Sequence, residues 1–126
     1  MYKEVCDGQF NGNREDISMV KREIIIAIKK YRAVLIRRGI RVKKMILYGS
    51  FAKGSAHAAS DIDIAVVSPD FGNDRFEEGG MLFELAQEID ARIEPVPISL
   101  NAFKNDTWIP LIYEIKSTGI DLSRLH

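Results

Sequence analysis

From Ile17 the apolar residues Ile17, Val20, Ile24, Ile28, Tyr31 and Leu35 recur every three or four positions, the spacing of one buried stripe on a helix. Asp16 suits its N-cap, Glu15 and Asp16 its positive end, Arg37 and Arg38 its negative end, and Gly39 a left-handed C′ position. Residues 42 to 48 close in an unbroken apolar run that stops at Gly49-Ser50, which predicts a strand entering a turn. Asp61-Ile62-Asp63-Ile64 then alternates strictly and opens a second strand, 61 to 67, with both aspartates on one face. Residues 74 to 91 predict a helix with Phe76, Phe83, Ala86 and Ile89 on its packed side, broken or frayed in its first turns by Gly79-Gly80.

Arg92 to Ile98 predicts a third strand, which Pro95 and Pro97 confine to a sheet edge or an irregular pairing because neither can donate to a ladder. A final helix is expected from Thr107 to Gly119 with Pro110 in its first turn, and residues 120 to 122 as a fourth strand. The sum is an α/β (α+β) chain: a small sheet of three to four strands flanked by helices. Residues 1 to 14 show no period and are expected to be a flexible arm, leaving residues 15 to 126 as a single domain.

Composition narrows the classes. With 126 residues and 46% hydrophobic content, the chain can fill one core. It has no run near the ~20 apolar residues that span a bilayer and no apolar leader, so a cytoplasmic protein without a membrane partner is expected. Cys6 is the only cysteine and lies in the expected arm without a charged activator, so neither a disulfide, a cysteine cluster nor a nucleophilic role is anticipated.

The 18 basic and 18 acidic residues cancel, which argues against nucleic acid as the main partner. Their distribution is uneven. Residues 21 to 44 hold ten basic side chains and one acid, Glu23, expected to be a solvated helix face, with a polyanion-binding surface as the alternative. Residues 61 to 94 hold ten acids against Arg75 and Arg92.

Asp61 and Asp63 repel each other from the same strand face, and a hard cation such as Mg²⁺ would relieve them with oxygen ligands alone. An isolated Asp-x-Asp is more commonly a solvated edge, and an isolated Gly-Ser only a turn. Here they occur together. Gly49 allows close approach to a ligand, Ser50 adds a hydroxyl, and Phe51-Ala52-Lys53 can begin a short helix facing an anion, with Lys53 adding charge near the same phosphate.

Strand, Gly49-Ser50, a ten-residue spacer and Asp61-Ile62-Asp63 resemble the signature of the DNA polymerase beta-like nucleotidyltransferases. Leu47-Tyr48-Gly49-Ser50-Phe51-Ala52-Lys53-Gly54 and Ser60-Asp61-Ile62-Asp63-Ile64 are similar to its minimal (MNT-type) bacterial and archaeal members. The resemblance implies that family's mixed-sheet fold, and a catalytic third carboxylate at Glu94, with Asp90 as the alternative. It implies two Mg²⁺ ions held by Asp61, Asp63 and Glu94, and phosphates held by Gly49, Ser50 and Lys53. The implied reaction moves a nucleoside monophosphate, AMP from ATP in the expected case, to a hydroxyl with release of pyrophosphate. The expected acceptor is a tyrosine of a HEPN-type helical partner, in an antitoxin role. The alternatives are a small-molecule acceptor, as in aminoglycoside nucleotidyltransferases, and a non-catalytic nucleotide- or partner-binding module. His57 is expected to be a surface loop residue, His126 is the chain end, and Trp108 is expected in core or edge packing, with a partner anchor as the alternative.

Overall fold

A computed structural model describes residues 20–57 and 59–123. The expected arm, Cys6, Asp16, Ile17 and His126 lie outside them. Helix α1, Arg22–Arg37, buries Ile24, Ala27, Ile28, Tyr31 and Leu35, the predicted stripe. It starts later than the spacing suggests, because Lys21 is extended (φ −60°, ψ 142°) and occupies the N-cap position expected for Asp16. Val20 keeps the helical spacing and is buried, but its backbone is not helical. At the other end Gly39 turns left-handed at φ 87°. Its N–H donates to Ile36 O and that of Ile40 to Leu35 O, the double bond that closes a helix through a C′ glycine.

The sheet has four strands in the order β3-β2-β1-β4, where β1 is Lys44–Tyr48, β2 Ile62–Ser68, β3 Ile93–Ser99 and β4 Ile120–Asp121. β1 is antiparallel to β2 and β4, and β2 is parallel to β3. The edge place expected of β3 is observed. Its ladder to β2 runs unbroken from Ile62↔Ile93 to Ser68↔Ser99. Residues two apart direct their N–H groups to the same side, so Pro95 and Pro97 remove donors from the outer side only, which also blunts the edge.

Helix α3, Arg75–Gln87, carries the crossover from β2 to β3 and packs beside α1 on one sheet face, over Met45, Leu47, Ile62, Ile64, Val66 and Ile93. The Tyr31 hydroxyl, fully buried, donates to Leu82 O at 2.8 Å and joins the two helices. Two expectations fail here. The helix runs unbroken through Gly79-Gly80, because Asp74 accepts from Glu77 N–H while the Glu78 carboxylate accepts from the N–H groups of Gly72, Asn73 and Asp74 and secures the first turn. The packed side is Leu82, Leu85 and Ala86 with Ile89, a complete i, i+3, i+4, i+7 stripe, whereas Phe76 and Phe83 are exposed.

The opposite face holds Ile46, Ala65, Val67 and Ile98, covered by α4, Leu100–Asn105, and α5, Pro110–Thr118. The sequence pattern misses α4, which leaves the strand directly through Ser99, whose hydroxyl accepts from Ala102 N–H. α5 begins three residues after the expected Thr107. Ile109 is extended before Pro110, which takes the first helical position. Trp108 therefore lies in the preceding turn, 78% exposed, and not in the core or at its edge.

Glycines at two positions separate helix propensity from packing. At Gly80 an added Cβ meets nothing within 4 Å, so Gly80→Ala is expected to stabilise the fold by roughly 0.5–1 kcal/mol. At Gly119 it would strike Ile115 O and the Ile46 side chain, so Gly119→Ala is expected to destabilise by about 1–3 kcal/mol. Urea unfolding of the two variants beside wild type checks both signs.

Candidate active site

β1 ends at Tyr48, and Gly49 then adopts φ 75°, ψ −150°, a backbone region open essentially to glycine. This reverses the chain into α2, the short helix Ser50–Lys53 anticipated from the sequence, which Gly54 ends in a left-handed C-cap at φ 78°. A Cβ on Gly49 would collide with the Asp63 carboxylate, its second contact being Asp63 Cγ at 3.2 Å. The turn needs glycine twice over: for its torsion, and because Asp63 occupies the space a side chain would take.

Asp63 is held by strand register. It pairs with Tyr48 on one side and Glu94 on the other, so three side chains form a row across β1, β2 and β3. Asp61, two residues earlier, has the same parity and lies exposed at the start of the strand. The row is on the α4–α5 face, past the apolar positions that those helices cover. α5 adds a further carboxylate, Glu114, whose Oε2 lies 4.0 Å from Lys53 Nζ.

Electrostatics shows that these groups sense one another. Burial raises the Asp63 pKa above the usual carboxylate value, and the charges of Asp61, Glu94 and Glu114 raise it further. Tyr48 is pushed up to about 12 by burial, then by the charges of Asp63, Glu114 and Glu94. The structure thus brings together Asp61, Asp63, Glu94, Gly49, Ser50 and Lys53. Asp90 stands apart: its carboxylate accepts from Arg92 N at 2.9 Å, Nε at 3.1 Å and Nη2 at 2.9 Å, and the Arg92 side-chain bond lowers its pKa.

Among the described residues, no three His, Cys, Asp or Glu side chains close on one cation position. The donor chemistry nevertheless fits a hard cation. Asp61, Asp63 and Glu94 offer only oxygen and share a face, and burial, with the charges of the other carboxylates added to it, holds Asp63 above its ordinary pKa.

Tyr48 and Glu114 were not singled out from the sequence. Tyr48 was accessible to parity, since it lies on the opposite side of the strand from buried Leu47. Glu114 has no local signal and reaches the site only through the packing of α5. His57 is an exposed loop residue, as expected, with its N–H bonded to Ser60 Oγ. Of the basic block, Lys21, Arg22, Lys30, Arg37 and Arg38 are exposed on or beside α1, on the sheet face opposite Asp63 and Glu94, whereas Arg41 pairs with Asp70 and Lys44 lies in β1 beside Asp121, off the expected helix face. No described helix is long and apolar enough to cross a membrane.

The family model described as a nucleotidyltransferase domain matches residues 28–121, and the chain belongs to that family. It is accordingly a nucleotidyltransferase. No curated protein matches it. Among solved structures, a toxin-antitoxin with AMP-PNP is 27% identical, with 75% of this chain and 71% of that one covered at a TM-score of 0.50. A Sulfolobus solfataricus structure assigned as a nucleotidyltransferase is 14% identical, covering 88% and 87% at 0.53, and a mutant of the toxin-antitoxin MntA-HpeT is 24% identical, covering 75% and 70% at 0.52. The last two share the fold.

Because Asp63 titrates higher in the folded chain than in the unfolded one, its ionised form weakens the fold. That deficit is full above the raised pKa and vanishes as pH falls below the unfolded value. Asp63→Asn is expected to raise the melting temperature at pH 7 and to lose the advantage near pH 3, as read by thermal melts in metal-free buffer. Gly49→Ala is expected to displace Asp63 and lower nucleotidyl transfer by more than about 100-fold, beyond the 10–100-fold typical of perturbing an outer partner. A single-turnover assay measures it.

Proposed function

We propose that the chain transfers a nucleoside monophosphate, AMP from ATP, to a hydroxyl group in a Mg²⁺-dependent reaction. The observation that carries this reading is the register Asp63↔Glu94 with Gly49 packed against the Asp63 carboxylate, which sets the Gly49-Ser50 turn beside a row of oxygen donors. Asp61 and Asp63 would hold one ion and Asp63 and Glu94 a second. When bound, the pair supplies neutralisation of the triphosphate and acidification of the attacking hydroxyl. The chain's own part is positioning. The α2 amides and the Ser50 hydroxyl grip the phosphates, Lys53 contributes a positive charge, and the exposed face beyond Glu94 admits the acceptor. The acceptor oxygen, giving up its proton to solvent, forms its bond to the α-phosphorus as the α–β bridging bond breaks, and pyrophosphate leaves with the electrons of that bond.

The likeness to a toxin-antitoxin structure with AMP-PNP supports an antitoxin role, and the acceptor proposed with it, on the resemblance of residues 47 to 64 alone, is a tyrosine of a HEPN-type helical partner. The test is turnover of α-labelled ATP with Mg²⁺, with the candidate partner present or absent. Label is expected on a partner tyrosine with wild type and to fall more than about 100-fold with Asp63→Ala. Equal turnover by the two proteins sinks the reading, and label appearing instead on an added aminoglycoside replaces the protein acceptor by a small one.

A further inference from the structure

Lys53 ends α2 at the edge of the carboxylate row, and among the described residues its ammonium pairs with Glu114, reaching over from α5 at 4.0 Å. Both side chains are about half exposed, 54% and 42%. The distance is the outer limit of a direct ion pair, and pairs of such exposure are weak. Other cations around the sheet are engaged elsewhere: Lys44 with Asp121, Arg92 with Asp90 and Glu23, and Arg41 with Asp70. Glu114 also lies near enough to the row that its charge adds, after burial, to the raised pKa of Asp63 and Tyr48.

Resting on the nucleotidyl-transfer reading above, we infer that Glu114 is a positioning residue: the exchangeable counter-ion that parks Lys53 beside the site when no nucleotide is bound, and competes with phosphate for it. A triphosphate presents several charged oxygens where Glu114 presents two, so the lysine changes partner when nucleotide binds. The exchange leaves Glu114 unpaired beside Asp63. That unpaired charge favours the lysine's return once pyrophosphate is in place and so weakens the hold on the departing product. A tighter pair would obstruct nucleotide, and a neutral residue at 114 would leave the lysine bound to product for longer.

A purely structural role, tying α5 to α2, makes a different prediction: lower stability at unchanged nucleotide affinity. The experiment titrates the full chain with the non-hydrolysable ATP analogue AMP-PNP in Mg²⁺, and separately with Mg²⁺-pyrophosphate, by calorimetry. Wild type, Glu114→Gln, Lys53→Met and the double variant are compared, each checked for folding by circular dichroism. Glu114→Gln is expected to bind both ligands roughly two- to fivefold tighter, the range an exposed ion pair can supply, and to show no such gain when Lys53→Met is also present. Unchanged or weaker binding by Glu114→Gln overturns the inference. So does an equal gain in the Lys53→Met background, which assigns the effect to the general field of the carboxylates. Failure of wild type itself to bind the analogue overturns the nucleotidyl-transfer reading instead, so the two failures are told apart within one set of titrations.

Discussion

The register of β2 is the constraint on which the rest of the molecule depends. The strand is hydrogen-bonded on both sides and buried on both faces along most of its length, with Ile62, Ile64 and Val66 in one layer and Ala65 and Val67 in the other. A slip of one residue would exchange the two sets and turn Asp63 into the core. Each fully buried Ile or Val contributes about 1.5–3 kcal/mol. Two like charges ~7 Å apart oppose each other by only ~2 kcal/mol at the effective dielectric of a protein surface. Apolar burial along the strand therefore outweighs carboxylate repulsion at its start, and an electrostatically unfavourable row can be held in place without a ligand.

That balance explains the asymmetry between the two layers. On the α1–α3 side, cover is complete and the helices are joined through the Tyr31 hydroxyl. On the other side α4 and α5 cover Ile46, Ala65, Val67 and Ile98 and leave the beginning of β2 open, which is where Asp61, Asp63 and Glu94 stand. The exposed basic residues of α1 belong to the first layer, on the sheet face opposite Asp61, Asp63 and Glu94.

What the sequence made legible was what is local. Strict alternation from Asp61 to Ile64 gave the face of both aspartates, Pro95 and Pro97 gave the edge strand, Gly39 gave the helix end, and residues 47 to 64 gave the family. What escaped depends on side-chain caps and on tertiary packing, neither of which hydrophobic periodicity reports. Phe76 and Phe83 yield their place to Leu82 and Leu85, which complete the stripe with the expected Ala86 and Ile89. Gly79-Gly80 survives inside α3 because Glu78 reaches back to three amides. α4 follows Ser99 without a breaker, and Glu114 enters the site only because α5 docks across the sheet.

The parallel pairing of β2 with β3 has a kinetic side. Gly49 and Asp63 meet across an antiparallel connection that closes over a short stretch of chain, whereas Glu94 arrives only after the whole α3 crossover has packed. Contacts of greater sequence separation demand a larger closure entropy before any burial rewards them. The Gly49-Ser50 turn and the first two carboxylates can accordingly assemble early, and Glu94 joins with the outer strand. A folding intermediate lacking β3 would then present half of the proposed reaction centre, with Asp61 and Asp63 placed and Glu94 still missing.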